Sequence, residues 1–176
     1  MKGITALALG LLMTLPALAA PSLVVLVRHA EKGPGSNPGL SPAGHLRAEA
    51  LADALALTGI RHIFTSDQLR TQATAAPLGA LLGVKSEPVG FGPGGLAAHI
   101  KTLTERIQAL DGAVLVVGHS NTVPELISAL GAPQPTPPCE TSFGLAWVLV
   151  PQPTGAPRLL ALRYGAPDPA GGPDCR

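Results

Sequence analysis

Apolar residues fall into short unbroken runs, separated by stretches where they recur every three or four positions. Ser22 to Val27 is a β-branched apolar run, the pattern of a strand buried on both faces. "IRHIFTS" (60–66) and "AVLVVGHS" (113–120) repeat that pattern, and "VKSEPV" (84–89) is a weaker version. Between them lie helical spacings. Ser41-Pro42 places a cap and a first-turn proline before Leu46, Ala50, Leu51, Ala54 and Leu55, and Gly59 closes this helix. A second helix is predicted from Asp67 or Gln68 to Leu82, kinked or broken near Pro77. A third covers 96–110. Thr122 to Glu125 fits a capping box opening a short helix that ends near Leu130. Two last runs, 143–150 and 158–164, are joined by "PQPTGAP" and read as an antiparallel pair.

Strands alternating with helices predict an α/β fold: a three-layer sandwich with a mostly parallel central sheet, helices on both faces and an antiparallel addition near the C-terminus. The 176 residues suit one domain with a substantial core. With three Phe, one Trp and one Tyr, that core is built mainly from Leu, Val and Ala.

The start of the chain reads differently. Met1-Lys2 is a short basic start, Ile4 to Leu15 is apolar but for two threonines, and Pro16 to Ala20 supplies an A-x-A cleavage pattern. Residues 1–19 are therefore expected to be a secretory signal peptide, with a single domain over 20–176. A retained anchor is the alternative, against which the apolar run is short for a hydrocarbon layer of about 30 Å. After cleavage, no stable membrane insertion is expected, and the domain is expected to be exported, periplasmic or extracellular. Cys139 and Cys175 could form one disulfide in such a compartment, or remain two thiols. Twelve basic residues against eleven acidic ones give no reason to expect nucleic acid as a partner.

Functional residues of such sheets collect beyond the carboxyl ends of the strands. Val27 runs into Arg28-His29, Phe64 into "TSDQLR" and Val117 into Gly118-His119-Ser120. Two Arg and two His on one rim make an anion site, and guanidinium forks fit tetrahedral phosphate oxygens. A neutral imidazole is a competent nucleophile toward phosphorus, and nearby guanidinium groups disfavour its protonation.

"RHAE" at the end of the first strand, "TSDQLRTQATA" (65–75) and "VVGHS" (116–120) resemble, in order and spacing, the motifs of the histidine phosphatase (phosphoglycerate mutase-like) superfamily. "LSPAGHLRAEALA" and "GHSNTVPEL" look like its compact exported bacterial branch. The resemblance spans about residues 23 to 130. It implies that His29 is the phosphorylated nucleophile, that Arg28 and Arg70 clamp the phosphoryl oxygens, and that His119 is the second imidazole. Ser66 and Asn121 are candidates for substrate hydrogen bonds, Ser66 equally for a helix cap. Glu31 is the first candidate proton donor, with Asp67 and Glu87 behind it. Asp67 is more readily a cap or a partner of Arg70.

No cofactor is implied. A zinc site from His29 and His119 has no spaced Cys or carboxylate to complete it. His45, His62 and His99 are expected at the surface, and Glu125 as half of the capping box. The expected activity is metal-independent hydrolysis of phosphate esters or related phosphoryl compounds on small substrates. A mutase is disfavoured because loops 33–40 and 90–95 are nearly uncharged, and a cytoplasmic protein-phosphohistidine phosphatase because of the leader. The alternative is a non-catalytic exported module binding phosphorylated glycans or lipid headgroups in the same cup. Oligomeric state stays open.

Overall fold

In a computed structural model, residues 20–169 are described. The chain runs β1 (Pro21–Arg28), α1 (Pro42–Leu55), β2 (Ile60–Thr65), α2 (Leu69–Leu82), β3 (Ser86–Pro88), α3 (Gly95–Gln108), β4 (Gly112–Gly118), α4 (Thr122–Ala129), β5 (Leu145–Val150) and β6 (Arg158–Arg163). The strands form one sheet in the order β3-β2-β4-β1-β5-β6. The first four in that order are parallel; β5 and β6 add on antiparallel beside β1. The signal-peptide reading falls on residues 1–19, which lie outside the described residues, as does Cys175. Among the described residues, no helix is long and apolar enough to cross a membrane.

The two-sided burial that the apolar runs demand is visible in the core. Val25, Val27, Leu115 and Val117 point to the face covered by Leu51, Ala52 and Leu55 of α1 and by Ala75 and Leu78 of α2. Their alternates Val24, Leu26, Val114 and Val116 point to the face covered by Leu103 and Ile107 of α3 and by Val123, Leu126 and Ile127 of α4. Period-two alternation sends neighbouring side chains to opposite layers, so a central strand must be apolar throughout.

Two local expectations are corrected, and of the kink or break expected near Pro77 the break does not occur. Pro77 sits inside α2 without dividing it. Thr74, Ala75 and Leu78 on either side are buried, and that packing holds the helix across the missing N–H. The capping box at Thr122 does not form. The backbone of Asn121 is already helical and occupies the cap position, so Thr122 falls inside the helix. Its hydroxyl accepts the His119 N–H (2.8 Å), and the Glu125 carboxylate takes a bond from Gln134 (3.0 Å) instead. His99 is buried at 2% exposure, because the 90–95 loop folds over it. Its ring stacks on Phe91 at 4.4 Å, and its Nδ1 lies 3.3 Å from the Gly90 carbonyl. His45 is exposed and His62 half-buried.

The contact between α1 and the segment after β1 is close enough to exclude a methyl group. A Cβ at Gly44 would land on the Glu31 carbonyl oxygen. Gly44→Ala is expected to cost about 1–3 kcal/mol, as overpacking against an immovable neighbour does. Thermal unfolding measures it; an unchanged midpoint would contradict this approach of helix to loop.

Candidate active site

Parallel register brings three strand ends together. Arg28 pairs with Gly118, and Thr65 pairs with Val117, so β1, β4 and β2 stop at one level. The backbone continues the ladder one residue further, with the His29 N–H donating to the Gly118 carbonyl at 2.9 Å. At this edge Arg28, His29, Arg70, His119 and Asn121 line one pocket of about 380 Å³, together with Lys32, Gln68, Phe91, Ser120 and Glu140.

His29 is almost fully buried, and its ring is fixed by the chain itself. Nδ1 lies 2.8 Å from the Ala30 carbonyl, which can only accept, so Nδ1 carries the hydrogen and Nε2 keeps the lone pair. Burial pushes the ring down to about pH 4. The Ala30 bond opposes this, and the positive charges of Arg28, Arg70 and Lys32 reinforce it. The imidazole is therefore neutral near pH 7 and nucleophilic at Nε2.

Arg28 is held by the segment leading into β5. Nη1 donates to the carbonyls of Cys139 (2.8 Å) and Ser142 (3.2 Å), and Nη2 donates to Glu140 (2.8 Å). The guanidinium also lies 4.3 Å from the centre of the Phe143 ring. Burial lowers its proton affinity, and Glu140 opposes that. Arg70 enters from the first turn of α2, where Nη1 donates to the Gln68 side chain at 3.2 Å. The Nε of each arginine is buried with no acceptor in the protein. Such a group is costly unless an acceptor arrives, and a tetrahedral oxyanion brings several.

His119 faces His29, with ring centres 5.4 Å apart at 66°. Its Nε2 is 2.9 Å from Ser66 Oγ, which in turn is 2.9 Å from Thr71 Oγ1. Thr71 must donate to a carbonyl, the Gln68 oxygen at 2.8 Å being nearest. The Ser66 hydroxyl therefore donates to Thr71 and accepts from His119 Nε2–H. His119 is thus left with a bare Nδ1. Burial pushes this ring down to about pH 3, followed in weight by His29, Arg70, His99 and Arg28. Ser66, open between cap and ligand from the sequence, bonds both the Gln68 N–H (3.3 Å) and His119. Thr74 closes the assembly: its hydroxyl accepts the Ala30 N–H (2.9 Å) and donates to the Arg70 carbonyl (2.7 Å).

The three carboxylates put forward as proton donors are elsewhere. Glu31 does not line the pocket; it is forked onto the buried Arg47, with bonds of 2.7 to 3.0 Å. That pair anchors α1 to the segment after β1. Glu87 pairs with Arg106 on the sheet edge. Asp67 is exposed, takes a bond from the Gln68 side chain (3.1 Å), and neither caps α2 nor pairs with Arg70. Among the described residues, no group of three or more His, Cys, Asp or Glu is placed to hold a metal ion.

Sequence reasoning missed Lys32, Gln68, Phe91, Ser120 and Glu140. The first, second and fourth sit inside or beside the quoted motifs and could have been taken with them. Phe91 and Glu140 belong to the glycine- and proline-rich loops, where no periodicity or spacing marks a side chain.

A sequence profile of the histidine phosphatase superfamily (branch 1) matches residues 24–90. In solved structures the chain is similar to the protein histidine phosphatase SixA complexed with tungstate, with 22% identity and a TM-score of 0.59 over 80% of this chain and 96% of that one. It is also similar to a mycobacterial glucosyl-3-phosphoglycerate phosphatase, with 17% identity and a TM-score of 0.61 over 82% and 99%. "Mycobacterial hydrolase 2" matches at 17% identity and a TM-score of 0.60 over 85% and 93%. These likenesses show the fold. The PE-PGRS family protein PE_PGRS11 of Mycobacterium tuberculosis is 52% identical over 48 residues, which are 27% of this chain but span only 8% of that relative's length.

Two imidazoles held neutral have a measurable cost in acid. An unfolded histidine protonates near pH 6.5, while His29 resists until about 4 and His119 until about 3. The unfolded state binds more protons throughout that window, so stability is expected to fall as pH drops from about 6.5 towards 4. Chemical denaturation across this range should show the slope, and His119→Asn should flatten part of it. A slope unchanged in that variant would refute the assignment.

Proposed function

We propose that this chain, whose residues 24–90 match the histidine phosphatase superfamily (branch 1), hydrolyses small phosphorylated compounds through a phosphohistidine formed at Nε2 of His29. The carrying observation is the Nδ1–H bond to Ala30, which leaves a neutral pocket-lining ring with its lone pair on the other nitrogen. In the first step Nε2 attacks phosphorus in line, the bond to the leaving oxygen or nitrogen breaks, and Arg28 and Arg70 stabilise the transferring oxygens. In the second, water attacks the phosphohistidine, releasing inorganic phosphate and restoring the ring. The proposed chemistry uses no metal.

Protonation of the leaving group shapes the substrate class. Glu31, Asp67 and Glu87 do not line the pocket, and Glu140 is held ionised beside Arg28. The reading therefore favours compounds whose leaving group departs without a strong acid, such as acyl phosphates and phosphoramidates. The leader predicted over residues 1–19 extends the proposal to an exported enzyme, periplasmic or extracellular. The missing carboxylic acid also supports a second reading, an exported module that binds phosphorylated glycans or lipid headgroups in the same cup without turnover.

A chromogenic phosphomonoester separates the two. His29→Ala is expected to lower turnover at least about a thousandfold, the scale of losing a nucleophile, and Arg70→Ala about a hundredfold. Equal rates in wild type and His29→Ala, both at the uncatalysed level, would favour the binding module. Across leaving groups of increasing basicity the wild-type rate is expected to fall steeply. A flat response would show that an acid serves the leaving group after all.

A further inference from the structure

Glu140 is the one carboxylate lining the cup. One oxygen takes the Arg28 Nη2 bond at 2.8 Å, and the other accepts from the Ser120 hydroxyl at 3.1 Å, while the side chain remains 79% exposed. Burial pushes its carboxyl up, but Arg28, the Ser120 hydroxyl and Lys32 outweigh this and hold it below the usual carboxylate range. It therefore presents a fixed negative charge at the mouth of an otherwise cationic pocket.

The depth of the surrounding groups orients a bound substrate. His29 and His119 are buried at the floor, whereas Lys32, Asn121 and Glu140 are exposed at the rim. A phosphoryl group in contact with His29 leaves its ester substituent pointing outward, past that rim, as in-line displacement requires. Three cations, Arg28, Arg70 and Lys32, stand against one carboxylate in the lining. The excess is two positive charges, which a phosphoryl dianion neutralises completely. A second anionic group on the substituent then meets no uncompensated cation, and it meets Glu140.

We propose that Glu140 is a specificity-determining residue: it admits phosphate monoesters whose substituent is neutral or cationic, and disfavours those carrying a carboxylate or a second phosphate near the phosphoryl group. Three of the five Arg28 N–H donors are spent on the 139–142 segment, leaving Nε–H and one Nη2 hydrogen for the phosphoryl oxygens. Glu140 therefore need not leave when substrate binds, and its charge persists in the complex. This inference rests on the phosphatase reading above.

The test compares glycerol 3-phosphate with 3-phosphoglycerate, which share a primary phosphate ester and differ by a hydroxymethyl against a carboxylate. Wild-type protein should prefer glycerol 3-phosphate in kcat/KM. Glu140→Gln should shift that ratio about tenfold toward 3-phosphoglycerate, the scale of one like-charge contact at a solvated rim, and Glu140→Lys should shift it further. The side chain is exposed, so the fold tolerates both changes, and circular dichroism checks it. Dissociation constants of the two compounds, measured by calorimetry in His29→Ala with and without Glu140→Gln, supply the same ratio independently of turnover. An unchanged ratio in both measurements overturns the proposal. So does a Glu140→Gln loss of kcat that grows with leaving-group basicity, which would make Glu140 a proton donor. Absence of turnover in wild type would sink the phosphatase reading alone, since the binding ratio still reports on Glu140.

Discussion

The pairing of β1 with β4 is the constraint on which the rest depends. Its register sets Arg28 opposite Gly118, and one further backbone bond carries the ladder to His29. Two imidazoles from segments about ninety residues apart in sequence are thereby brought to one edge of the sheet. A one-residue slip would turn His29 to the other face of the sheet and break the site, because side chains alternate. Each apolar residue of β1 and β4 is packed into one of two separate cores, so such a slip would also have to repack both.

Charge then works through burial. Either imidazole in water would be partly protonated at neutral pH, and its partner cations would repel it weakly. Sunk at the floor of the pocket, both rings are held neutral, and the arginines remain charged beside them. Hydrogen bonding then distinguishes the two rings. Ala30 fixes the hydrogen of His29 on Nδ1, and the Ser66–Thr71 pair draws that of His119 to Nε2. Similar rings thus present different nitrogens, which suits one to attack and the other to accompany.

Much of this was legible in the chain. Unbroken apolar runs located β1, β2 and β4, and the polar residues after them marked the active edge. Those two facts suffice because a doubly covered strand has one composition and one place for its exit. Glu31 failed as a donor because sequence proximity to His29 says nothing of direction, and a buried guanidinium sixteen residues later captured it. His99 was misplaced because its burial comes from a glycine-rich loop, whose path is set by backbone freedom and leaves no periodic trace. Glu140 was invisible for the same reason. Its segment contributes through carbonyls and one carboxylate, and carbonyls have no letter in a sequence.

The grip of residues 139–142 on Arg28 has a consequence in time. The arginine lies near the start of the domain, yet what immobilises it is translated more than a hundred residues later. A nascent chain that already contains both histidines and both arginines still has a loose guanidinium where the finished one has a fixed fork. The fixed fork therefore needs the segment that leads into β5, and so the docking of β5 against β1.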